Sequence, residues 1–331
     1  MIYTELGLPL AFAALMGVAI LAYVVLDGYD LGVGMLMPAA SPEQQNRMVN
    51  SIGPFWDANE TWLVLGVGIL LVAFPAAHGV ILQALYLPVA AMLVGLMLRG
   101  VAFEFRMKAL GWHRELWNWL FWFGSFLASF AQGVMLGRYI TGFAPGVGYY
   151  LFALTVGAAL CGGYVLMGAT WLIARTEGEL QKKSLAWARW GLLWVGLGVA
   201  LVSLATPMVS ETVRAKWFNF PATLWLMLLP AATFAAGVRL WILTGRNPLD
   251  KNHEWRPFFC AVAIFVLAFM GLAYSIFPWV VIDRIGIWEA SRPEALRVML
   301  VGALLVLPLI LAYNVLVYRI FRGKAREHLY D

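Results

Sequence analysis

The chain has 331 residues, of which 62% are hydrophobic and only 12% charged, and its mean hydropathy is +0.79. Soluble globular proteins sit near 45–50% apolar and about 25% charged, so a soluble enzyme, a disordered tail protein and a nucleic-acid binder with a basic face are excluded. The net charge of +5 is read instead as the loop cations of a membrane protein, which collect on one side.

Nine apolar runs follow in order. They are Leu8–Leu26, Trp62–Phe74, Val80–Leu98, Trp117–Tyr139, Tyr150–Ile173, Ala186–Thr206, Ala222–Leu243, Phe258–Ile282 and Val298–Phe321. A span needs about 20 apolar residues, so the second run is short. It is expected to begin near Phe55, with Asp57 and Glu60 on its first turn. Lipid allows only helices or closed barrels to span, and these runs are too long and too evenly apolar for alternating barrel strands. The N-terminal segment carries Glu5 and no Lys or Arg, unlike a cleaved secretory signal, so the first run is read as a retained span. No linker or shift of composition divides the chain. The expectation is one integral-membrane domain over residues 1–331, all-α, with nine transmembrane helices.

Charge sets the orientation. With the N-terminus on side one, 17 of the 23 Lys and Arg residues fall on side two. They include Arg47 in the first loop, Arg99, Arg106, Lys108 and Arg114 after the third run, Arg239, Arg246, Lys251 and Arg256 around the loop after the seventh, and Arg326 in the C-terminal tail. Only Arg138, Arg214, Lys216, Arg284, Arg292 and Arg297 lie on side one. Cytoplasmic loops carry the positive excess, which puts the N-terminus outside and the C-terminus in the cytoplasm. Glycines inside the runs, such as Gly66, Gly68, Gly95, Gly191, Gly196 and Gly198, are read as close helix packing. Gly32 and Gly34 stand near a span end and carry little signal. Trp112, Trp117, Trp119 and Trp122 fit an interfacial belt. The two cysteines, Cys161 and Cys260, form no disulfide framework or CxxC metal pair.

The acids are the candidate functional residues. Asp27 and Asp30 stand three apart at the inner end of span one, on one helical face. Asp57 and Glu60 repeat that spacing at the start of span two, and Glu104 follows at the inner end of span three. Five carboxylates are thus expected at one inner corner. They are either interfacial acids and helix-dipole partners or, as membrane carboxylates usually are, an ion or proton route. The histidines are read outside the spans: His78 in an outer turn, His113 and His253 in inner loops, His328 in the tail. A haem held inside a bundle needs an axial ligand from a helix, so no haem is expected on this chain's own histidines. Metal ligands are none.

At DGYDLGVGM (Asp27–Met35), NSIGPFWDANETWLV (Asn50–Val64) and RGVAFEFR (Arg99–Arg106) the chain resembles subunit II of the cytochrome bd family of quinol oxidases. Its short later loops, with Glu60 and Glu104, resemble the cyanide-insensitive branch. The resemblance implies two four-helix bundles plus one peripheral helix, in a bacterial inner membrane. It implies a homologously folded subunit I carrying the haems (b and d, or b only) and the quinol-oxidising loop, a small third subunit as a further partner, and a structural quinone. Carried over by position, the proton-route residues are Asp27, Asp30, Asp57 and Glu104, and Trp62 borders an apolar oxygen route. Glu60 departs from the amide of other members. No residue is assigned as catalytic. The resulting expectation is a haem-free subunit of a terminal oxidase that reduces oxygen to water, with protons drawn from the cytoplasm. A proton-coupled secondary transporter and a purely structural assembly subunit are the alternatives. Acids at span ends and the lack of an inverted repeat weigh against the transporter.

Overall fold

The computed structural model describes residues 2–246 and 253–325, with the side chains of residues 2–6, 209 and 222 left out. Lys251, Arg326 and His328 lie outside the described residues, as does the side chain of Glu5.

The first helix, α1 (Ile2–Leu36), has 35 residues and is about 52 Å long at 1.5 Å per residue. It passes through the apolar run and continues past both aspartates. A short amphipathic helix, α2 (Pro42–Ile52), follows. Ser41 starts it: its hydroxyl accepts from the Gln44 N–H while the Gln44 side chain accepts from the Ser41 N–H, and Pro42 fills the first position. That is a capping box with a proline that loses no needed donor. Helix α3 (Trp56–Ala73) begins at Trp56, which places Asp57 and Glu60 in and just after its first turn, as the sequence requires.

Phe74 alone joins α3 to α4 (Pro75–Lys108). Then come α5 (Trp112–Ile140), α6 (Val147–Arg175) and α7 (Gly178–Val209), with α8 (Glu211–Trp217) and α9 (Ala222–Leu226) leading into α10 (Leu228–Thr244). The chain closes with α11 (Arg256–Ile276), an antiparallel hairpin of β1 (Trp279–Val281) and β2 (Ile285–Gly286), α12 (Ile287–Ala290) and α13 (Pro293–Ile320). Among the described residues nine helical segments are long and apolar enough to cross a membrane, α9 and α10 together supplying the seventh.

The expected count and order of spans therefore hold. The small hairpin inside the eighth run's tail was not legible, because Trp279–Val281 is as apolar as the helix before it. Several boundaries differ for one reason: the helices run on beyond the hydrocarbon, satisfying their backbone internally. Asp27 and Asp30 lie inside α1, with two turns still to follow, rather than at its end. Arg99 and Glu104 lie within α4. His78 and His113 stand in the first turns of α4 and α5 rather than in loops.

Consecutive long helices α4 to α7 pack as neighbours, as do α10 and α11. Helix α1 sits among α3, α5, α6, α11 and α13. Its approach to α6 is backbone on backbone, because a Cβ at Gly32 or at Gly168 would overlap the other helix's main chain. The α4–α5 crossing is similar: a Cβ on Gly95 would stand 2.7 Å from Ala128 N, and one on Gly124 2.7 Å from Arg99 N. A Cβ on Gly191 would likewise stand 2.9 Å from the Leu166 main chain of α6, and one on Gly198 2.6 Å from the Ala159 Cβ, while Gly68 and Gly196 face open space.

Candidate functional site

The helical geometry of α1 fixes where its polar groups go. Positions 23, 27 and 30 recur at four and three residues, so Tyr23, Asp27 and Asp30 share one face. That face is turned wholly inward: Asp27 is 0% and Asp30 1% exposed. Unpaired charges are not left in such a place, and each aspartate has a partner from another helix. Arg99 of α4, itself 2% exposed, donates through Nη1 to Asp27 Oδ1 at 2.6 Å and through Nη2 to Glu60 Oε1 at 3.0 Å. The glycine crossing of α4 and α5 lies one turn from Arg99, at Gly95 and Gly124.

Asp30 is held by Asn59 of α3, whose Nδ2 donates to Asp30 Oδ2 at 2.8 Å and to the Tyr29 hydroxyl at 2.8 Å. The Tyr318 hydroxyl, from the end of α13, donates to Asn59 Oδ1 at 3.2 Å and lies 2.6 Å from the Tyr29 hydroxyl. Toward the α1 N-terminus, Gln132 donates to the Tyr23 hydroxyl at 2.8 Å and accepts from Tyr164 at 2.6 Å. Asp27 Oδ2 and Asp30 Oδ1 are buried without a hydrogen-bond partner among the described residues. Each carboxyl can therefore take up or release a proton at one oxygen while the other oxygen keeps its protein contact.

Aromatic packing walls this network. Tyr29 stacks on Trp171 with centroids 4.0 Å apart, and Phe55 stacks on Tyr318 at 4.7 Å. Below them Arg175 donates to Phe321 O at 2.9 Å, and Lys324 bridges to Glu254 at 2.6 Å.

The structure thus joins Asp27, Asp30 and Glu60 and leaves the other two acids apart. Asp57, on the first turn of α3, and Glu104, near the end of α4, are exposed at the surface of the chain. The two arginines flanking Glu104 are engaged elsewhere, Arg99 as above and Arg106 with Asn46 and Asn118. Trp62 is buried against Ala19 and Tyr23. Sequence reasoning did not single out Asn59, Tyr29, Tyr318, Tyr23, Gln132 or Tyr164. Tyr23 and Tyr29 could have been found from their spacing to the aspartates. Tyr318 lies 289 residues from Tyr29 and had no local signal.

As to a haem, the described histidines do not fit the part of an axial ligand within a span. His78 and His113 are at helix starts and His253 precedes α11, and among the described residues no group of three or more His, Cys, Asp or Glu side chains is placed to hold a metal ion.

Comparison with known proteins identifies the family. The family model described as cytochrome bd terminal oxidase subunit II matches residues 8–321. Subunit 2 of the Escherichia coli K12 cytochrome bd-I ubiquinol oxidase is 30% identical, over 92% of this chain and 91% of that protein. Subunit 2 of the Bacillus subtilis cytochrome bd ubiquinol oxidase is 28% identical, over 94% of each. A chain of the bd oxidase from Geobacillus thermodenitrificans superposes with a TM-score of 0.76 at 18% identity, covering 95% of this chain and 98% of that one. With an all-α body of nine candidate spans and a family match over nearly its whole length, this chain is a multi-pass membrane protein that belongs to the cytochrome bd terminal oxidase subunit II family.

Proposed function

We propose that this chain is the haem-free second subunit of a membrane quinol:oxygen oxidoreductase in a bacterial inner membrane, that it supports a haem-bearing subunit I, and that it lines a route for protons from the cytoplasm. Support for the substrate and the partner comes from the relatives, whose names describe ubiquinol oxidases with a numbered second subunit. Haems b and d, or b alone, belong to subunit I in this reading. A structural quinone, a small third subunit and membrane lipid complete the set of partners. The 17-to-6 division of Lys and Arg supports an outside N-terminus and a cytoplasmic C-terminus.

One observation carries the proton reading: two carboxyls stand fully buried in a spanning helix, each with one oxygen unbonded. Reduction of one oxygen molecule to two waters consumes four protons, so a membrane subunit beside the active centre has a use for such groups. In this reading Asp57 and Glu104 collect protons at the surface. Asp30, steadied by Asn59, holds one inside and passes it on at Oδ1. Asp27 shares the same face, but its ion pair to Arg99 also supports a structural role, as a lock between α1 and α4. Trp62 borders the apolar path assigned to oxygen.

The test is turnover per assembled complex at saturating quinol, across pH, for Asp30→Asn, Asp27→Asn, Asp57→Asn and Glu104→Gln. Asp30→Asn keeps size and hydrogen bonding but cannot titrate, and it should slow oxygen reduction with the complex intact. Unchanged turnover of Asp30→Asn at every pH removes the residue from the route. Loss of assembly in all four variants would favour the purely structural subunit.

A further inference from the structure

The cytoplasmic end of α10 carries a feature that proton supply does not use. A groove of about 510 Å³ runs along its outer face to the start of α11. Phe234, Val238 and Ile242 form its apolar wall, and Arg239, Arg246 and Arg256 line its polar side. We propose that this groove binds an anionic phospholipid of the inner leaflet, its phosphate on the arginines and an acyl chain along the apolar wall.

Arg239 makes the strongest case. It sits five residues before the end of α10 at Thr244, about 7.5 Å inside the helix end at 1.5 Å per residue, and it is exposed on the chain's surface. Charged groups within a span normally face the bundle interior and pair there. Arg239 faces outward beside Phe234, 75% exposed, and Ile242, 52% exposed, and among the described residues none of the three arginines forms an ion pair. An arginine near a span end reaches the interface with its head group, and lipid phosphate is the anion the inner leaflet offers there. Positions 239 and 242 stand three residues apart, so Arg239 and Ile242 share one face of α10, and Arg246, two residues past the helix end, lines the same groove. Arg256 comes from the facing helix end, the first residue of α11. Arginine forks match phosphate oxygens two at a time. Basic pockets between transmembrane helices on the cytoplasmic side suit such headgroups. A quinone is neutral and would leave three cations unpaired.

The experiment uses the intact oxidase complex. It is equilibrated with cardiolipin, phosphatidylglycerol or phosphatidylethanolamine, stripped progressively with detergent, and its retained lipids counted by native mass spectrometry. The wild type should keep a cardiolipin or phosphatidylglycerol molecule where phosphatidylethanolamine is lost. The variant Arg239→Gln/Arg246→Gln/Arg256→Gln should weaken that retention at least about tenfold, equivalent to about 1.4 kcal/mol. Ile242→Trp fills the groove without changing charge and should weaken it likewise, which decides the matter if the triple variant fails to assemble. Equal retention of all three lipids, or unchanged retention in Ile242→Trp, overturns the proposal. So does cross-linking of the groove to a partner subunit with no lipid retained.

Discussion

Arg99 offers the sharpest test of the geometry. It is 2% exposed, holds Asp27 at 2.6 Å and Glu60 at 3.0 Å, and stands between α1, α3 and α4. Replacing Arg99 with Met leaves Asp27 buried with no cation. Breaking one side of a buried pair costs about 3–5 kcal/mol. Asp27→Leu should cost about 3 kcal/mol, the low end of the same range, because Arg99 retains Glu60. The double variant Arg99→Met/Asp27→Leu removes both charges together. Apolar replacement of a whole buried pair is often near neutral, so the double variant should recover most of the loss. At about 2 °C per kcal/mol, each single variant should lower the midpoint of thermal inactivation by roughly 6–10 °C, at a fixed heating rate since unfolding of such complexes is irreversible. The assay is the amount of monodisperse solubilised complex surviving each temperature. Additive losses, with the double variant the least stable of all, would refute a direct Arg99–Asp27 pairing.

Three further outcomes follow from other contacts. Gly168→Leu should abolish accumulation of the protein in membranes, since any side chain there overlaps α1 at Gly32, whereas Gly68→Ala, with open space around it, should change stability by less than about 1 kcal/mol; immunoblot yield and thermal midpoint read both. Asn59→Leu removes the amide that contacts Asp30, Tyr29 and Tyr318, and should reduce turnover about tenfold or more at normal assembly, measured by oxygen consumption. Lys324→Gln breaks the bridge to Glu254, a loss of about 1 kcal/mol, and should speed hydrogen exchange at the Ala325 N–H, which donates to Arg175 O at 2.8 Å.

Much of the fold was open to reading because a membrane enforces simple rules. Apolar length gave the nine spans, and the shortness of the second run, Trp62–Phe74, pointed upstream to the start of α3 near Phe55. Where the helices stop was harder, since α1 and α4 continue through polar residues that hydropathy counts as loop. That is why Arg99 read as one more cytoplasmic cation, although its charge is spent on Asp27. The acids were found as a group by composition, but their sorting into buried and exposed depends on helix rotation. Only packing fixes that: Asp30 and Asp57 look alike in sequence, yet one faces Asn59 and the other the surface. Tyr318 could be placed only by bringing α13 back against α1 and α3.

The small residues beside the acids connect these observations. Gly32 lies half a turn past Asp30, and Gly95 lies four residues before Arg99. Both let neighbouring helices touch at the backbone. A side chain at either position would push α6 from α1, or α5 from α4, and would widen the space around the aspartates. Water entering that space would weaken the pull of Arg99 on Asp27, because attraction between charges falls as the effective dielectric rises. Gly32 of LGVGM therefore belongs to the same packing as the aspartates of DGYD: with Gly95 it keeps the bundle tight around the Asp27–Arg99 pair and the Asn59–Asp30 hydrogen bond.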